Sequence, residues 1–199
     1  MAVRERIELR HRLEELAAIQ SGYFTAAQAL KIGYAYPSQR YHVQRRNWER
    51  IDRALFRLPK WPTSPDENLV RWSLWSGGQG VISHDSALAE YGLGNVNPSV
   101  VHLTVPKPFR KRAPGVELHR AQLDEDDVRN RGGYKITTPI RSLYDVAGEG
   151  LDPAELGIAV KDALERALVT RRSLRSYGGR AAPEAALGIE RALAVLDDR

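Results

Sequence analysis

Residues 34–59, YAYPSQRYHVQRRNWERIDRALFRLP, decide the fold that we predict for the N-terminal part of this chain. The stretch begins with a short basic helical pattern at residues 37–46. It continues as two short runs with alternating apolar residues, which meet at residues 52–54. Alternating runs on either side of a turn indicate a β-hairpin. The stretch therefore predicts a basic helix followed directly by a basic hairpin.

Positive charge is concentrated in the same part of the chain. Residues 31–60 contain eight Lys or Arg and two acidic residues, a balance of +6, whereas the whole chain carries +5. Residues 1–62 carry a net charge of +6, and residues 63–199 carry −1. Arg-rich helices are also common as ordinary solvent-exposed surfaces. Charge alone therefore does not decide whether this segment binds a polyanion or is a plain exposed surface.

The composition excludes several classes of protein. With 199 residues and 42% hydrophobic residues, the chain can form one or two domains with a buried core. The chain has no cysteine, which excludes disulfides, thiolate catalysis and zinc sites built on CxxC pairs. No apolar run approaches the roughly 18 residues of a membrane span, and the charged N-terminus is unlike a signal peptide. We expect a cytoplasmic protein that does not associate with membranes.

The residues before the basic helix add two further helices. Apolar residues recur at three- and four-residue steps through residues 4–20, which predicts an amphipathic helix that ends at Ser21 and Gly22. Thr25 followed by Gln28 is typical of a capping box that opens a second helix, ending near residues 32–33. Pro37 suits the first turn of a third helix that runs to residue 47. Three helices followed by a hairpin predict a winged helix-turn-helix over residues 1–62.

The third helix has the composition of a surface that reads DNA. At about 100° per residue, Val43 marks its inward face, and Gln39, Arg40 and Arg46 flank it. Ser38, Tyr41 and Arg45 point to solvent, edged by His42 and Gln44. No acidic residue occurs from residue 37 to residue 47. Arg and Gln pair with base edges, and Ser and Tyr commonly hold phosphates. The predicted DNA contacts on the helix and the wing are Ser38, Gln39, Arg40, Tyr41, His42, Gln44, Arg45, Arg46, Arg50, Arg53 and Arg57.

The first sixty residues resemble a known family. GYFTAAQALKIG, the basic helix and RRNWERIDRALFRLP are similar to the N-terminal domain of AbiEi-type antitoxins, which belong to type IV toxin–antitoxin and abortive-infection systems active in phage defence. The chain departs from the family pattern at Asn47 and Ala54, where glycine is more usual. Asn tolerates a positive φ, so we expect Asn47 to end the third helix in that conformation.

The remaining residues, 63–199, predict an α+β domain. Prolines and a serine at residues 61–65 are typical of a linker. Helical patterns follow at residues 68–75 and up to residue 91, strands at residues 99–105, 115–119 and 134–138, and four helices from residue 138 onward. We therefore place a domain boundary at Pro62 and expect a small sheet with a helical C-terminal half.

Chemical signals in this second part are weak. Ser83, His84 and Asp85 are the residue types of a hydrolase triad, but adjacent residues point in different directions, and we expect Ser83 or Asp85 to cap a helix instead. His102 and His119 are expected to be structural. The basic turn at residues 107–112 is expected to be a solvated loop. We therefore predict no catalytic residues, no cofactor and no metal.

Residues 70–177 resemble the region that follows the winged helix in the same antitoxins. The resemblance implies a two-domain antitoxin that binds an inverted repeat of double-stranded DNA in its own promoter, represses its operon and counteracts a nucleotidyltransferase-like toxin. Two copies are expected on one palindrome, and they could associate only there. Two alternatives stay open: a plain transcriptional regulator with a ligand-sensing or oligomerisation domain, and a nuclease-associated protein.

Overall fold

The computed structural model describes residues 3–197, and the N-terminal part of it is a winged helix-turn-helix. Three strands form an antiparallel sheet in the order β1-β3-β2, and the helices pack around it. The elements are α1 (Val3–Ile19), β1 (Tyr23–Thr25), α2 (Ala26–Ile32), α3 (Tyr36–Gln44), β2 (Glu49–Asp52), β3 (Leu55–Arg57) and α4 (Glu67–Trp75). The predicted three helices and hairpin are confirmed, and β1 is a strand that the sequence pattern did not predict.

The core of the winged helix is aromatic. Phe24 of β1 is fully buried, and its ring lies 4.8 Å from that of Trp48 in an edge-to-face arrangement. Tyr34 contacts the same indole at 5.0 Å, and Leu13 of α1 closes the core. Edge-to-face packing of this kind adds about 0.5–1.5 kcal/mol per pair to the burial of apolar area. Trp48 therefore joins the base of the hairpin to the helices.

Local signals in the sequence fix the ends of α2 and α3. The capping box is present: the Thr25 hydroxyl accepts from the Gln28 amide, and the Gln28 side chain accepts from the Thr25 amide at 2.8 Å. Pro37 lies in the first turn of α3, as expected. The left-handed residue after α3 is Arg46, with φ 58°, and not Asn47 as we predicted, because α3 already ends at Gln44.

The second sheet has five strands in the order β6-β5-β4-β8-β7. It is mixed, because β4 pairs antiparallel with β5 but parallel with β8, and β5 pairs parallel with β6. Its strands are β4 (Val81–Ile82), β5 (Val101–Val105), β6 (Val116–Arg120), β7 (Val128–Arg131) and β8 (Tyr134–Thr137). β4 and β7 were not predicted, because the first has two residues and the second, VRNR, lacks an apolar alternation.

Helices make up the rest of this part and pack mainly on one another. Fully buried Leu143, Ile189 and Leu193 hold the C-terminal helices together. The helices are α5 (His84–Tyr91), α6 (Pro139–Gly148), α7 (Pro153–Glu165), α8 (Arg171–Gly178) and α9 (Pro183–Asp197). The α+β class, with a small sheet and a helical C-terminal half, is therefore confirmed.

The described residues form two compact units. One comprises the residues before Gly80 together with Asn130–Tyr134, and the other comprises Gly80–Arg129 and the residues from Lys135 onward. Residues 63–79 belong to the first unit, in which α4 is joined to β1 by the Tyr23 hydroxyl, which donates to Glu67 at 2.8 Å. Whether residues 1–62 fold and act alone stays a prediction.

Within residues 3–197, no helix combines the length and the apolar character that crossing a membrane requires.

Candidate nucleic-acid interface

Gln39 fixes the position of α3 against α2. Its side chain is 3% exposed, and its amide nitrogen donates to the carbonyls of Ala26 at 3.0 Å and Tyr34 at 2.8 Å. Both carbonyls belong to the α2–α3 region, so one amide group joins the two helices of the helix-turn-helix. Gln39 is therefore a structural residue, and we leave it out of the candidate interface.

The exposed side of α3 is polar and basic. Arg40, Tyr41, Gln44 and Arg45 are all exposed, and the Arg45 guanidinium lies over the Tyr41 ring at 5.6 Å from its centroid. Stacking on an aromatic ring limits the freedom of a guanidinium while leaving its N–H groups available for hydrogen bonds. Tyr41 and Arg45 are exposed as periodicity predicted, but Arg40, predicted to lie beside the inward face, is exposed as well, because Gln39 is the residue that α3 buries. No carboxylate from α3 competes with an anion on this surface.

A groove of about 610 Å³ lies between α3 and the hairpin, and three arginines line it. Arg40 comes from α3, whereas Arg50 and Arg53 come from β2 and the hairpin turn. Guanidinium groups bind phosphate oxygens through two parallel N–H donors, which makes such a groove suited to a sugar–phosphate backbone. Gln44 lines the same groove and adds a donor and an acceptor.

Tyr36 is a further residue of this groove that the sequence analysis did not select. It is 63% exposed and occupies the first position of α3. Its spacing of four residues from Arg40 places both side chains on one side of the helix, so the period of the helix is the signal that could have found it.

The hairpin turn is held in the shape that a glycine would normally provide. Ala54 has φ 60°, the left-handed conformation that favours glycine. The Ala54 carbonyl accepts from the Ala26 amide at 2.9 Å, which ties the turn to the first residue of α2. Arg53, at the tip of the turn, lines the same groove as Ala26 and Arg40.

A different groove, separate from the arginine-lined one, is lined by Ser38, Tyr41 and His42. It has a volume of about 790 Å³ and is also bordered by α1, where Arg10 and Glu14 bring charges of both signs. His42 stacks on Trp48 with 4.8 Å between ring centroids, and burial lowers the pKa of its imidazole. Burial therefore disfavours a positive charge on His42 at this surface.

The Arg57 side chain contacts other residues of the protein and is mostly covered by them. It is 13% exposed, lies 3.4 Å from the Glu67 carboxylate and donates to the Trp61 carbonyl at 3.1 Å. An arginine paired in this way cannot reach DNA without breaking these contacts, so we leave Arg57 out of the interface. Arg46 is exposed beyond the end of α3, next to Arg45.

The second unit contains a group of side chains with metal-ligand chemistry that the sequence analysis did not connect. One nitrogen each of His84 and His119 and one oxygen of Glu149 lie within 4.8 Å of one another. The Ser83 hydroxyl is close to His84 at 2.8 Å and makes no capping bond to α5, although Ser83 occupies the N-cap position. The three residues are far apart in sequence, so no spacing motif predicts that they lie together.

Comparisons with known proteins concern the fold. No protein-family profile and no curated protein matches the chain. Among solved structures, it is similar to the Rv2827c protein of Mycobacterium tuberculosis, with 15% sequence identity and a TM-score of 0.60 over 93% of this chain and 74% of that one. At this identity the likeness shows the fold alone. The arrangement of the chain is therefore one that a mycobacterial protein also adopts.

Proposed function

We propose that this protein is a DNA-binding regulator that acts as the antitoxin of a type IV toxin–antitoxin pair. The observation that supports DNA binding best is the convergence of Arg40, Arg50 and Arg53 on one groove beside the acid-free face of α3. In the proposed complex α3 enters the major groove and the hairpin follows the backbone.

The exposed residues divide into two roles in this proposal. Gln44 is the last residue of α3 and Arg45 directly follows it. Both would contact base edges, and each good bidentate contact contributes about 1–3 kcal/mol of discrimination. Arg40, Arg50 and Arg53 would contact phosphates, which gives affinity and a dependence on salt but carries no sequence information directly.

The biological role rests on the resemblance of both parts of the chain to AbiEi-type antitoxins. The protein would bind an inverted repeat in its own promoter as two copies and repress the operon. The second unit would oppose a nucleotidyltransferase-like toxin. A plain regulator with a ligand-sensing second domain is the alternative, and a toxin gene adjacent to this one would favour the antitoxin.

The DNA-binding proposal is tested by fluorescence anisotropy with the full chain and duplexes from its own upstream region. The triple variant Arg40→Ala, Arg50→Ala, Arg53→Ala should bind every duplex more weakly, and its plot of log K against log salt should be shallower by roughly 2–3. Arg45→Ala alone should lower the preference for the operator over unrelated DNA by about 1–3 kcal/mol.

The matched control removes three positive charges elsewhere. Arg110, Arg172 and Arg191 are exposed residues of the second unit, and their combined alanine variant has the same net charge as the groove variant. It should retain the operator preference and nearly all of the salt slope. Equal loss of binding in both triple variants would refute a localised interface. The toxin part is tested separately by co-expressing the chain with the neighbouring toxin and scoring growth.

A further inference from the structure

Three histidines and a glutamate meet at one place in the second unit. His84 begins α5, His102 and His119 lie on the adjacent strands β5 and β6, and Glu149 follows α6. The imidazoles of His84 and His119 stack with 3.5 Å between centroids, and one Glu149 oxygen lies 2.6 Å from His119 Nδ1 and 3.4 Å from His84 Nε2. The fold thus brings one ring nitrogen of each histidine close to the same Glu149 carboxylate oxygen.

We propose that His84, His119 and Glu149 bind a divalent transition-metal ion of the Zn²⁺ class. This site is independent of the proposed DNA interface. Two imidazoles and one carboxylate are a common ligand set for Zn²⁺, whereas Mg²⁺ and Ca²⁺ prefer oxygen ligands throughout.

The three candidate ligand atoms lie within 4.8 Å of one another, and the imidazoles of His84 and His119, stacked at 3.5 Å, have to turn so that both nitrogens face one ion. Bonds of 2.0–2.1 Å at tetrahedral angles separate neighbouring ligand atoms by about 3.3–3.4 Å. His84 Nε2 and the Glu149 carboxylate oxygen are 3.4 Å apart, which is the separation expected for two ligands of a tetrahedral ion. The distance from His119 to Glu149 must open from 2.6 Å, and the Glu149 side chain, which is 51% exposed, has room to move.

Neighbouring side chains can hold each imidazole in the orientation that a metal needs. The Ser83 hydroxyl lies 2.8 Å from His84 Nδ1, so Nδ1–H can donate to it and leave Nε2 free to bind the ion. Thr104 donates to the same hydroxyl at 2.8 Å, and a hydroxyl oxygen can accept both bonds.

His102 can hold the imidazole of His119 in the orientation that a metal needs. His119 Nε2 lies 3.0 Å from His102 Nδ1, so a His119 that binds metal through Nδ1 donates its Nε2–H to His102. His102 then carries its own proton on Nε2, which lies 3.9 Å from the Glu117 carboxylate. His102 therefore supports the imidazole of His119 through its other ring nitrogen, which is the type of outer hydrogen bond that metal-binding histidines have. The Glu117 carboxylate lies nearby but too far from His102 for a hydrogen bond.

The site is open on one side. The His84 and His119 side chains are 7% and 9% exposed, whereas Glu149 faces solvent. Three protein ligands and an open fourth position for water distinguish an exchangeable or reactive metal site from a closed structural one. His84 also has φ 51°, a conformation that is uncommon outside glycine and is concentrated at functional sites.

The test is a Zn²⁺ titration of the full chain, purified without a polyhistidine tag and treated with chelator, in competition with a chromophoric zinc chelator. Wild type should bind one equivalent of Zn²⁺, and Co²⁺ should give the intense visible absorption of a tetrahedral site. Glu149→Gln and His119→Gln should each weaken Zn²⁺ binding at least tenfold and abolish the Co²⁺ signal. Zn²⁺ should raise the Tm of wild type but not that of Glu149→Gln.

The matched control is His11→Gln. His11 forms an exposed pair with Glu15 at 3.5 Å on α1, so it offers the same two residue types without the buried partners. It should leave affinity and the Co²⁺ spectrum unchanged. Circular dichroism verifies that the partly exposed Glu149→Gln variant is folded. Zn²⁺ binding that Glu149→Gln and His119→Gln do not alter, or binding of Mg²⁺ in preference to Zn²⁺, would overturn the proposal.

Discussion

Replacing Gln39 by Met should destabilise the winged helix without touching its exposed surface. Met keeps the length of the side chain but removes the amide that donates to Ala26 and Tyr34 at 3.0 and 2.8 Å. Each hydrogen bond contributes about 0.5–1.5 kcal/mol, and a buried carbonyl that loses its partner costs about 1–3 kcal/mol. We therefore expect the free energy of unfolding of the first unit to fall by about 2–4 kcal/mol.

The control for this substitution is Gln44→Met. Gln44 lies on the same helix but is exposed, so its replacement should change the free energy of unfolding by less than about 0.5 kcal/mol. In DNA binding the order reverses: Gln44→Met should weaken operator recognition under conditions in which both variants are folded.

Hydrogen exchange followed by mass spectrometry is the suitable assay, because peptides from residues 23–58 report on the first unit separately. Gln39→Met should accelerate exchange in those peptides and leave peptides from α6 and α9 unchanged. If both variants exchange at the wild-type rate, or if Gln44→Met is the more destabilised, the assignment of Gln39 as the residue that joins α2 to α3 is refuted.

Three further predictions concern other residues. Ala54→Gly should raise the free energy of unfolding of the first unit by up to about 1 kcal/mol in urea denaturation, because glycine adopts φ 60° without strain. The stability of wild type relative to His42→Gln should fall as the pH decreases below about 6.5, by at most about 1.4 kcal/mol per pH unit, since burial lowers the pKa of His42 in the folded state and the unfolded chain binds the proton first. Asp127→Asn should lower the free energy of unfolding of the second unit by about 3 kcal/mol, because Asp127 is 2% exposed and accepts from Tyr177 and two arginines.

Each of these has its own control. An Ala54→Gly variant that is less stable than wild type would contradict the strain at the hairpin turn. For the pH series, a stability difference between wild type and His42→Gln that stays constant as the pH falls from 8 to about 5 would contradict the effect of burial on His42. Asp124→Asn removes a 71% exposed carboxylate near the same Arg180 and should cost under 1 kcal/mol, so an equal cost at both aspartates would refute the buried network.

Much of the first unit could be predicted from local sequence. The capping box at Thr25, the proline in the first turn of α3 and the alternation around Trp48 are each complete within a few neighbouring residues, and each lies where it was expected. The end of α3 was predicted less well, because a left-handed residue there depends on where the last helical hydrogen bond forms, and Arg46 adopts it instead of Asn47.

The set of surface residues could be predicted only in part. Periodicity placed Gln39 beside the inward face of α3, but its residue type kept it among the predicted DNA contacts. Gln39 is buried and Arg57 is mostly covered, because each has hydrogen-bond or ion-pair partners elsewhere in the first unit. Residue type alone does not show such partners. Tyr36 was missed because it stands outside the run of charged residues.

The sequence by itself determined the α+β class, the helix–hairpin order and the concentration of positive charge before Pro62, because these depend on residue type and on spacing within one element. Tertiary structure alone decided which arginines share a groove and that His84, His119 and Glu149 meet. The physical reason is that these groups come from separate strands, helices and turns, and their distances are set by strand pairing and helix packing, which no local pattern records.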